Sequence, residues 1–132
     1  MGTGGQRVCF QVRVRPELLD EYRRAHEAVW PAMLREIEAS GRRNYTLFLA
    51  EDGLLIGYYE ADSPEASARY LAESAVAAEW EAAMGRFFLS VDGRADQDAP
   101  HLNEVFNLAD QLATSSPTTA EHSAHIVGIS AT

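Results

Sequence analysis

The sequence predicts an α+β domain of the ferredoxin-like class, with elements in the order βαββαβ. Two helices cover one face of a four-stranded antiparallel sheet in this fold. Three observations favour it: an alternating apolar segment near the start, two β-rich runs joined by Asp52-Gly53, and two helical segments that each open with a proline. A chain of 132 residues is long enough for one such domain and its core.

The first strand is predicted over residues 7–14, where apolar and polar side chains alternate, as expected for a strand with one buried face. The first helix is predicted over residues 16–41. Pro16 stands at its first position and Gly41 closes it, which is the usual asymmetry of helix ends. Pro31 lies inside this segment and removes one backbone hydrogen bond, so we expect the helix to bend just after Val29 and Trp30.

The remaining elements follow from turn and cap signals. The runs 43–50 and 54–60 flank Asp52-Gly53, a strong hairpin signal, and should pair antiparallel. Ser63 and Pro64 open a second helical region that breaks near residues 73–74 and resumes to about residue 88. Residues 89–100 are predicted to form an acidic loop, and residues 102–108 a short last strand.

The predicted sheet is apolar on both faces, although the helices suffice for only one. On the hairpin, for example, Ile56 and Tyr58 alternate with Leu55 and Tyr59. An uncovered apolar face needs a partner, so we predict a homodimer that pairs sheet to sheet. The domain itself is predicted over residues 7–109, with a flexible N-terminus at 1–6. Residues 110–132 lack apolar periodicity and are expected to be disordered or loosely docked.

Composition excludes several classes of function. The net charge of −9 argues against nucleic acid as a partner, and no apolar run approaches the roughly 18 residues of a membrane span. Cys9 is the only cysteine, so a thiolate zinc site is not expected. With no signal-peptide pattern and no phosphate-loop or metal motif, we expect a cytoplasmic protein with no metal and no cofactor.

One helical face carries the residues of chemical interest. Tyr22, His26 and Trp30 are four residues apart and therefore share a face, which is also the apolar one. A buried imidazole needs a partner, so His26 either meets a structural neighbour or faces a ligand. With Tyr45 and Trp80, these residues could wall a pocket for a small polyhydroxylated or flat aromatic ligand. Ordinary core packing is the alternative.

A family resemblance bears on that choice. The order and spacing of several segments resemble those of the L-rhamnose mutarotase family over about residues 7–109; these segments are Tyr22-Arg-Arg-Ala-His26, Val29-Trp-Pro31, Arg43-Asn-Tyr45, Trp80 with Met84, and Asn103-Glu-Val-Phe106. The resemblance implies a cofactor-independent dimeric α/β barrel that interconverts the α and β anomers of a 6-deoxy-hexose. It also implies that His26 is the proton donor and that Tyr22 and Tyr45 hold the sugar.

The chain departs from the family pattern on the second helical region. Glu81 stands where family members carry a second tryptophan, and Ala68 lies near another position that is often tryptophan. The predicted site therefore comprises His26 as acid/base and five substrate-binding residues, namely Tyr22, Trp30, Tyr45, Trp80 and Glu81. Fewer aromatic platforms could change which ligand is accepted. Two alternatives stay open: a cofactor-free oxygenase or cyclase acting on a flat aromatic or polyketide-like molecule, and a non-catalytic ligand-binding dimer.

Overall fold

A computed structural model describes residues 5–89 and 94–115 and shows a curled antiparallel sheet. Its strands are β1 (Gln6–Val14), β2 (Arg43–Leu49), β3 (Leu54–Ala61), β4 (Phe88–Leu89) and β5 (His101–Leu102). The order across the sheet is β2-β3-β1-β4, and β5 pairs with β1 as well. The predicted ferredoxin-like fold is thus confirmed.

The fourth position of the sheet differs from the prediction. Two short strands share the free edge of β1: β4 pairs with its end at Arg13 and Val14, and β5 pairs with its middle at Cys9 and Phe10. The prediction of a single last strand over residues 102–108 is therefore wrong. Within the predicted acidic loop, residues Ala95–Asp98 form a short helix, α5.

The first helical region is divided rather than bent. A 3-10 turn at Pro16–Leu18 leads into α1 (Leu19–Glu27), and α2 (Pro31–Ala39) begins at the proline. Trp30 has an extended backbone (φ −50, ψ 130), as expected for a residue whose helical conformation is disfavoured by the proline that follows. Pro31 therefore starts a new helix at its first position, and residues 28–30 form the break.

The second helical region has the predicted interruption. Helices α3 (Pro64–Glu73) and α4 (Ala75–Met84) meet at Ser74, whose side chain accepts a hydrogen bond from the Ala77 amide and caps α4. Ser63 caps α3 in the same way. Each cap satisfies an amide that the helix leaves unpaired. This arrangement directs Trp80 of α4 into the core, where it is buried.

The core lies between the helices and one face of the sheet. Alternate residues of β1, from Val8 to Val14, point into it, together with Leu55 and Tyr59 of β3. The opposite face carries Phe48, which is 63% exposed, and the segment after β5 carries Val105, which is 93% exposed. This isolated chain therefore presents apolar side chains to solvent on the sheet face that the helices leave open.

A further helix, α6 (Leu108–Thr114), follows the sheet, so the predicted domain boundary at residue 109 falls inside a helix. Arg7 of β1 forms ion pairs with Glu104 and Asp110, which connect this segment to the sheet. Residues 1–4 and 116–132, which include most of the two predicted terminal segments, lie outside the described residues. Among the described helices, none is long and apolar enough to cross a membrane.

Candidate active site

A cavity of about 470 Å³ lies between the helices and the sheet, and five of the six predicted site residues line it: Tyr22, His26, Tyr45, Trp80 and Glu81. They come from α1, β2 and α4, so the fold assembles them from three separate parts of the chain. The volume falls within the usual range for small-molecule sites. The two tyrosines, the imidazole and the carboxyl therefore have access to one ligand.

His26 is oriented by its own helix. Its Nδ1 lies 2.9 Å from the backbone carbonyl oxygen of Tyr22. Since a carbonyl oxygen can only accept, Nδ1 carries the hydrogen and donates it. The Nε2 atom of the neutral ring is then left with a lone pair. Burial lowers the pKa of His26, and the bond to Tyr22 opposes this shift only in part, so the imidazole is neutral at neutral pH.

The phenol of Tyr22 supports the imidazole. The two rings stack at 4.2 Å with an angle of 31°, and Phe87 meets Tyr22 edge-on at 5.4 Å. Burial raises the pKa of Tyr22, and the nearby Tyr45 and Glu81 raise it further. The hydroxyl is therefore protonated throughout the physiological range and can donate a hydrogen bond to a ligand.

Tyr45 reaches the cavity because β2 is irregular where it begins. The pairing register with β3 shifts between Arg43 and Thr46, and Asn44 has a positive φ of 53°. Such an irregularity re-aims the neighbouring side chain, here Tyr45, which packs edge-on against Phe10 at 6.4 Å. Burial also raises the pKa of Tyr45, so this second hydroxyl likewise remains a donor.

The two tryptophans occupy different places. Trp80 is buried and lines the cavity, with the His26 ring 5.5 Å away in an edge-on arrangement. Trp30 lies outside the cavity lining and is 39% exposed. Its ring contacts Trp80 edge-on at 5.0 Å. The structure thus places Trp30 behind Trp80, where it can hold the wall in position without contacting a ligand.

Glu81 adds a carboxyl group to the same cavity. Burial raises its pKa to about 7, and the negative charge of Asp96 adds to the shift. One carboxyl oxygen accepts the backbone N–H of Asp96 at 3.3 Å. Asp96 is itself paired with Arg94 at 2.7 Å, which offsets its charge. Near neutral pH Glu81 is therefore present in both protonation states and can serve as an acid or as a base.

Two further residues that line the cavity, Arg42 and Asp96, are not predicted from the sequence. Asp96 lay in a segment that looked like a solvated acidic loop, and its side chain is only 5% exposed. Arg42 stood beside Arg43 at the start of a strand, where basic residues are usually exposed; it is 5% exposed. Neither position carries a local sequence signal, because tertiary packing creates both environments.

The arrangement suits proton transfer to and from a small hydroxylated molecule. Burial raises the pKa of Glu81 to about 7 and lowers that of His26. Near neutral pH the cavity therefore holds a carboxyl that can donate a proton and an imidazole that can accept one. The tyrosine hydroxyls can orient the ligand, and Trp80 can pack against its C–H groups. Within residues 5–89 and 94–115, no three His, Cys, Asp or Glu side chains are grouped so as to hold a metal ion.

Comparisons with known proteins identify the family of this chain. The sequence profile of the L-rhamnose mutarotase family matches residues 7–108. An L-rhamnose mutarotase from Oceanobacillus iheyensis is 31% identical over 107 residues, which cover 78% of this chain and 98% of the relative. Another, from Pectobacterium atrosepticum, is 35% identical over 80 residues, covering 60% of this chain and 76% of the relative.

A solved structure supports the fold independently. The L-rhamnose mutarotase from Formosa agariphila superimposes with a TM-score of 0.64 over 78% of this chain and 98% of that chain, at 20% sequence identity. The family profile covers most of the described residues, including every residue that the sequence analysis placed in the site. This chain belongs to the L-rhamnose mutarotase family.

Proposed function

We propose that this protein interconverts the α and β anomers of L-rhamnose or a closely related 6-deoxy-hexose, with His26 and Glu81 as the proton-transferring pair. The observation that carries the proposal is that one cavity holds an imidazole with a free Nε2 and a carboxyl whose pKa is about 7. Family membership supports this reaction over the oxygenase, cyclase and binding-only alternatives.

The reaction needs one acid and one base at the same time. A base removes the proton of the anomeric hydroxyl while an acid protonates the ring oxygen, so that the C1–O5 bond breaks and an open-chain aldehyde forms. Rotation about the C1–C2 bond presents the other carbonyl face. The O5 hydroxyl then attacks C1, its proton returns to the first acid, and the carbonyl oxygen regains a proton from the first base.

His26 and Glu81 can share these roles in either direction. With neutral His26 as the base, protonated Glu81 is the acid; with imidazolium as the donor, ionised Glu81 is the base. Both forms hold one proton between the two groups, so they respond identically to pH. The hydroxyls of Tyr22 and Tyr45 bind sugar hydroxyls, Trp80 is the stacking wall, and Trp30 positions Trp80 from behind.

We also propose that the active form is a cytoplasmic homodimer. The exposed Phe48 on the open face of the sheet supports sheet-to-sheet pairing, because large apolar side chains on such a surface mark an interface. Val105 and Phe106, 93% and 60% exposed, lie beyond β5 and could extend that contact. The single cysteine fits a reducing compartment.

The test is NMR saturation transfer between the two anomeric signals of L-rhamnose, with the uncatalysed rate subtracted. The wild-type protein should accelerate exchange, and His26→Gln should lose this effect by about a hundredfold or more. His101→Gln, on β5 at the edge of the sheet, is the matched control and should retain activity. An unaccelerated rate across L-rhamnose and other 6-deoxy-hexoses would refute the proposal.

A further inference from the structure

Arg42 is a buried cation without a counter-ion in the described part of the chain. It is 5% exposed, and its Nε donates to Ser67 Oγ at 3.1 Å. The ion pairs formed by residues 5–89 and 94–115 do not include it, although six other arginines take part in them. Arginine is rarely this buried unless it is paired with an anion.

The contacts of Arg42 hold its guanidinium in place and leave its outer nitrogens available. The carbon of the group lies 4.1 Å from the Tyr59 ring centre and 5.9 Å from that of Tyr45. Aromatic faces stabilise a cation only partly. No acceptor among the described residues bonds to the two terminal nitrogens, and no wholly buried polar side-chain atom there lacks a partner. These nitrogens therefore keep some accessible surface, and Arg42 is one of the residues that line the cavity.

Two acidic residues, Glu81 and Asp96, line the same cavity as Arg42. Their charges decide whether the positive charge of Arg42 is neutralised. Asp96 is bound to Arg94 by two hydrogen bonds, at 3.0 and 2.7 Å, and these two charges offset each other. Glu81 lies more than 4.0 Å from every basic nitrogen of the described residues, since it forms no ion pair there. When Glu81 holds the proton that the reaction needs, the remaining charge of the cavity is the positive charge of Arg42.

We propose that Arg42 binds a carboxylate of the substrate, so that the pocket accepts reducing sugar acids such as hexuronates, in which a carboxylate replaces the C6 methyl group. This inference rests on the proposed function, because it extends the substrates of the same site from 6-deoxy-hexoses to sugars that carry a carboxylate at C6. A guanidinium presents two parallel N–H groups that match the two oxygens of a carboxylate. A methyl group makes no such bond and leaves the buried cation unpaired.

The experiment compares sugars that differ only at C6. D-Galacturonate and D-fucose form one pair, and D-glucuronate and D-quinovose form another; in each, the first has a carboxylate where the second has a methyl group. Anomer exchange is measured by NMR saturation transfer for both pairs and for L-rhamnose, and binding by calorimetry. The variants are Arg42→Met, which removes the charge at similar length, and Arg43→Met. Arg43 is the neighbouring arginine, which is about half exposed and pairs with Asp62 at 3.1 Å.

For at least one of the two sugar pairs, the wild-type protein should bind the uronate more tightly than the methyl sugar and exchange its anomers faster. Arg42→Met should lower that preference about ten- to a hundredfold, the usual range for a charged hydrogen bond, and should change exchange of the methyl sugar far less. Arg43→Met should match the wild type. If Arg42→Met does not fold, Arg42→Lys replaces it: it keeps the charge but loses the paired geometry, and should weaken uronate binding.

The outcomes separate the two proposals. Exchange of L-rhamnose or the other methyl sugars, with hexuronates neither bound nor exchanged, overturns the role of Arg42 and leaves the mutarotase function intact. Calorimetric binding of a hexuronate that depends on Arg42, without exchange of any sugar, retains the carboxylate site and refutes the mutarotase function. A preference for acids that Arg42→Met or Arg42→Lys leaves unchanged also overturns the inference.

Discussion

The Nδ1–H of His26 points at the backbone carbonyl oxygen of Tyr22, one helical turn earlier, at 2.9 Å. Nothing outside α1 is needed to hold the ring in this tautomer. The same turn stacks the Tyr22 phenol on the imidazole. Helix geometry alone therefore aligns an imidazole and a phenol hydroxyl beside the cavity, because residues four apart lie one above the other.

Replacing His26 should separate catalysis from stability. His26→Ala loses the bond to the Tyr22 carbonyl and some packing against Trp80, so we expect the free energy of unfolding to fall by only about 1–3 kcal/mol. Anomer exchange should fall to the background rate. Urea denaturation and saturation transfer on the same sample measure both. A variant that unfolds at neutral pH would instead assign His26 a structural role.

If His26 and Glu81 are the proton-transferring pair, the pH dependence of activity should be bell-shaped, because the pair must hold one proton. On the acid side, activity falls as both groups become protonated. The midpoint of this fall lies below the ordinary histidine pKa of about 6.5, because the pKa of His26 is lowered. Activity falls on the alkaline side near pH 7, as Glu81 ionises.

Glu81→Gln should lose most activity and also the alkaline limb. The rates are measured from pH 5 to 9 with the buffer-catalysed rate subtracted, and an unchanged profile in this variant would remove Glu81 from the mechanism.

The same carboxyl should reduce stability at high pH. Its pKa is about 7 in the folded chain, above the ordinary glutamate value, so the folded state binds more protons than the unfolded state between about pH 4.5 and 7. Stability therefore declines as pH rises through that interval. Glu81→Gln removes the buried charge and should raise the free energy of unfolding by about 1–3 kcal/mol at pH 8, with a smaller change at pH 4.

Glu79→Gln provides the matched control for this stability effect. Glu79 lies on the same helix, α4, but is exposed, so its neutralisation should alter stability little at either pH. Chemical denaturation at pH 4 and pH 8 gives the free energy of unfolding of each variant relative to the wild type, and hence four differences. Equal effects of the two substitutions would mean that the carboxyl of Glu81 is solvated in the folded protein.

The parts of the fold that were predictable are those with local signals. Alternation located β1, the Asp52-Gly53 turn located the hairpin, and the serine-proline start located α3. The fourth strand position had no such signal, because β4 and β5 are two residues each and exist only through pairing with β1. The sequence predicts a bend rather than the observed break at residues 28–30, since Pro31 permits either outcome and tertiary packing decides between them.

The candidate site divides in the same way. His26 and Tyr22 were found because helical spacing put them on one apolar face. The place of Arg42 in the site could not be predicted from the sequence. Its burial depends on Ser67 of α3 and on the ring of Tyr59, and both of these residues are far from it along the chain. Trp30 was expected at the ligand, but the break before Pro31 leaves its ring against Trp80, outside the cavity lining.

The open face of the sheet supports a final prediction about assembly. Phe48 of β2 lies on this face, opposite Ile56 of β3 in the pairing register, and is 63% exposed in the isolated chain. If a second copy covers it, Phe48→Asp buries an unpaired charge at the interface, which is strongly unfavourable. We expect this variant to be monomeric at about 10 μM, a concentration at which the wild type should be a dimer, because standard interfaces reach such affinities.

Light scattering coupled to size exclusion measures both masses. Ala82→Asp, on the exposed side of α4, should stay dimeric, and circular dichroism should show that both variants are folded. A wild-type protein of monomeric mass would contradict sheet-to-sheet pairing.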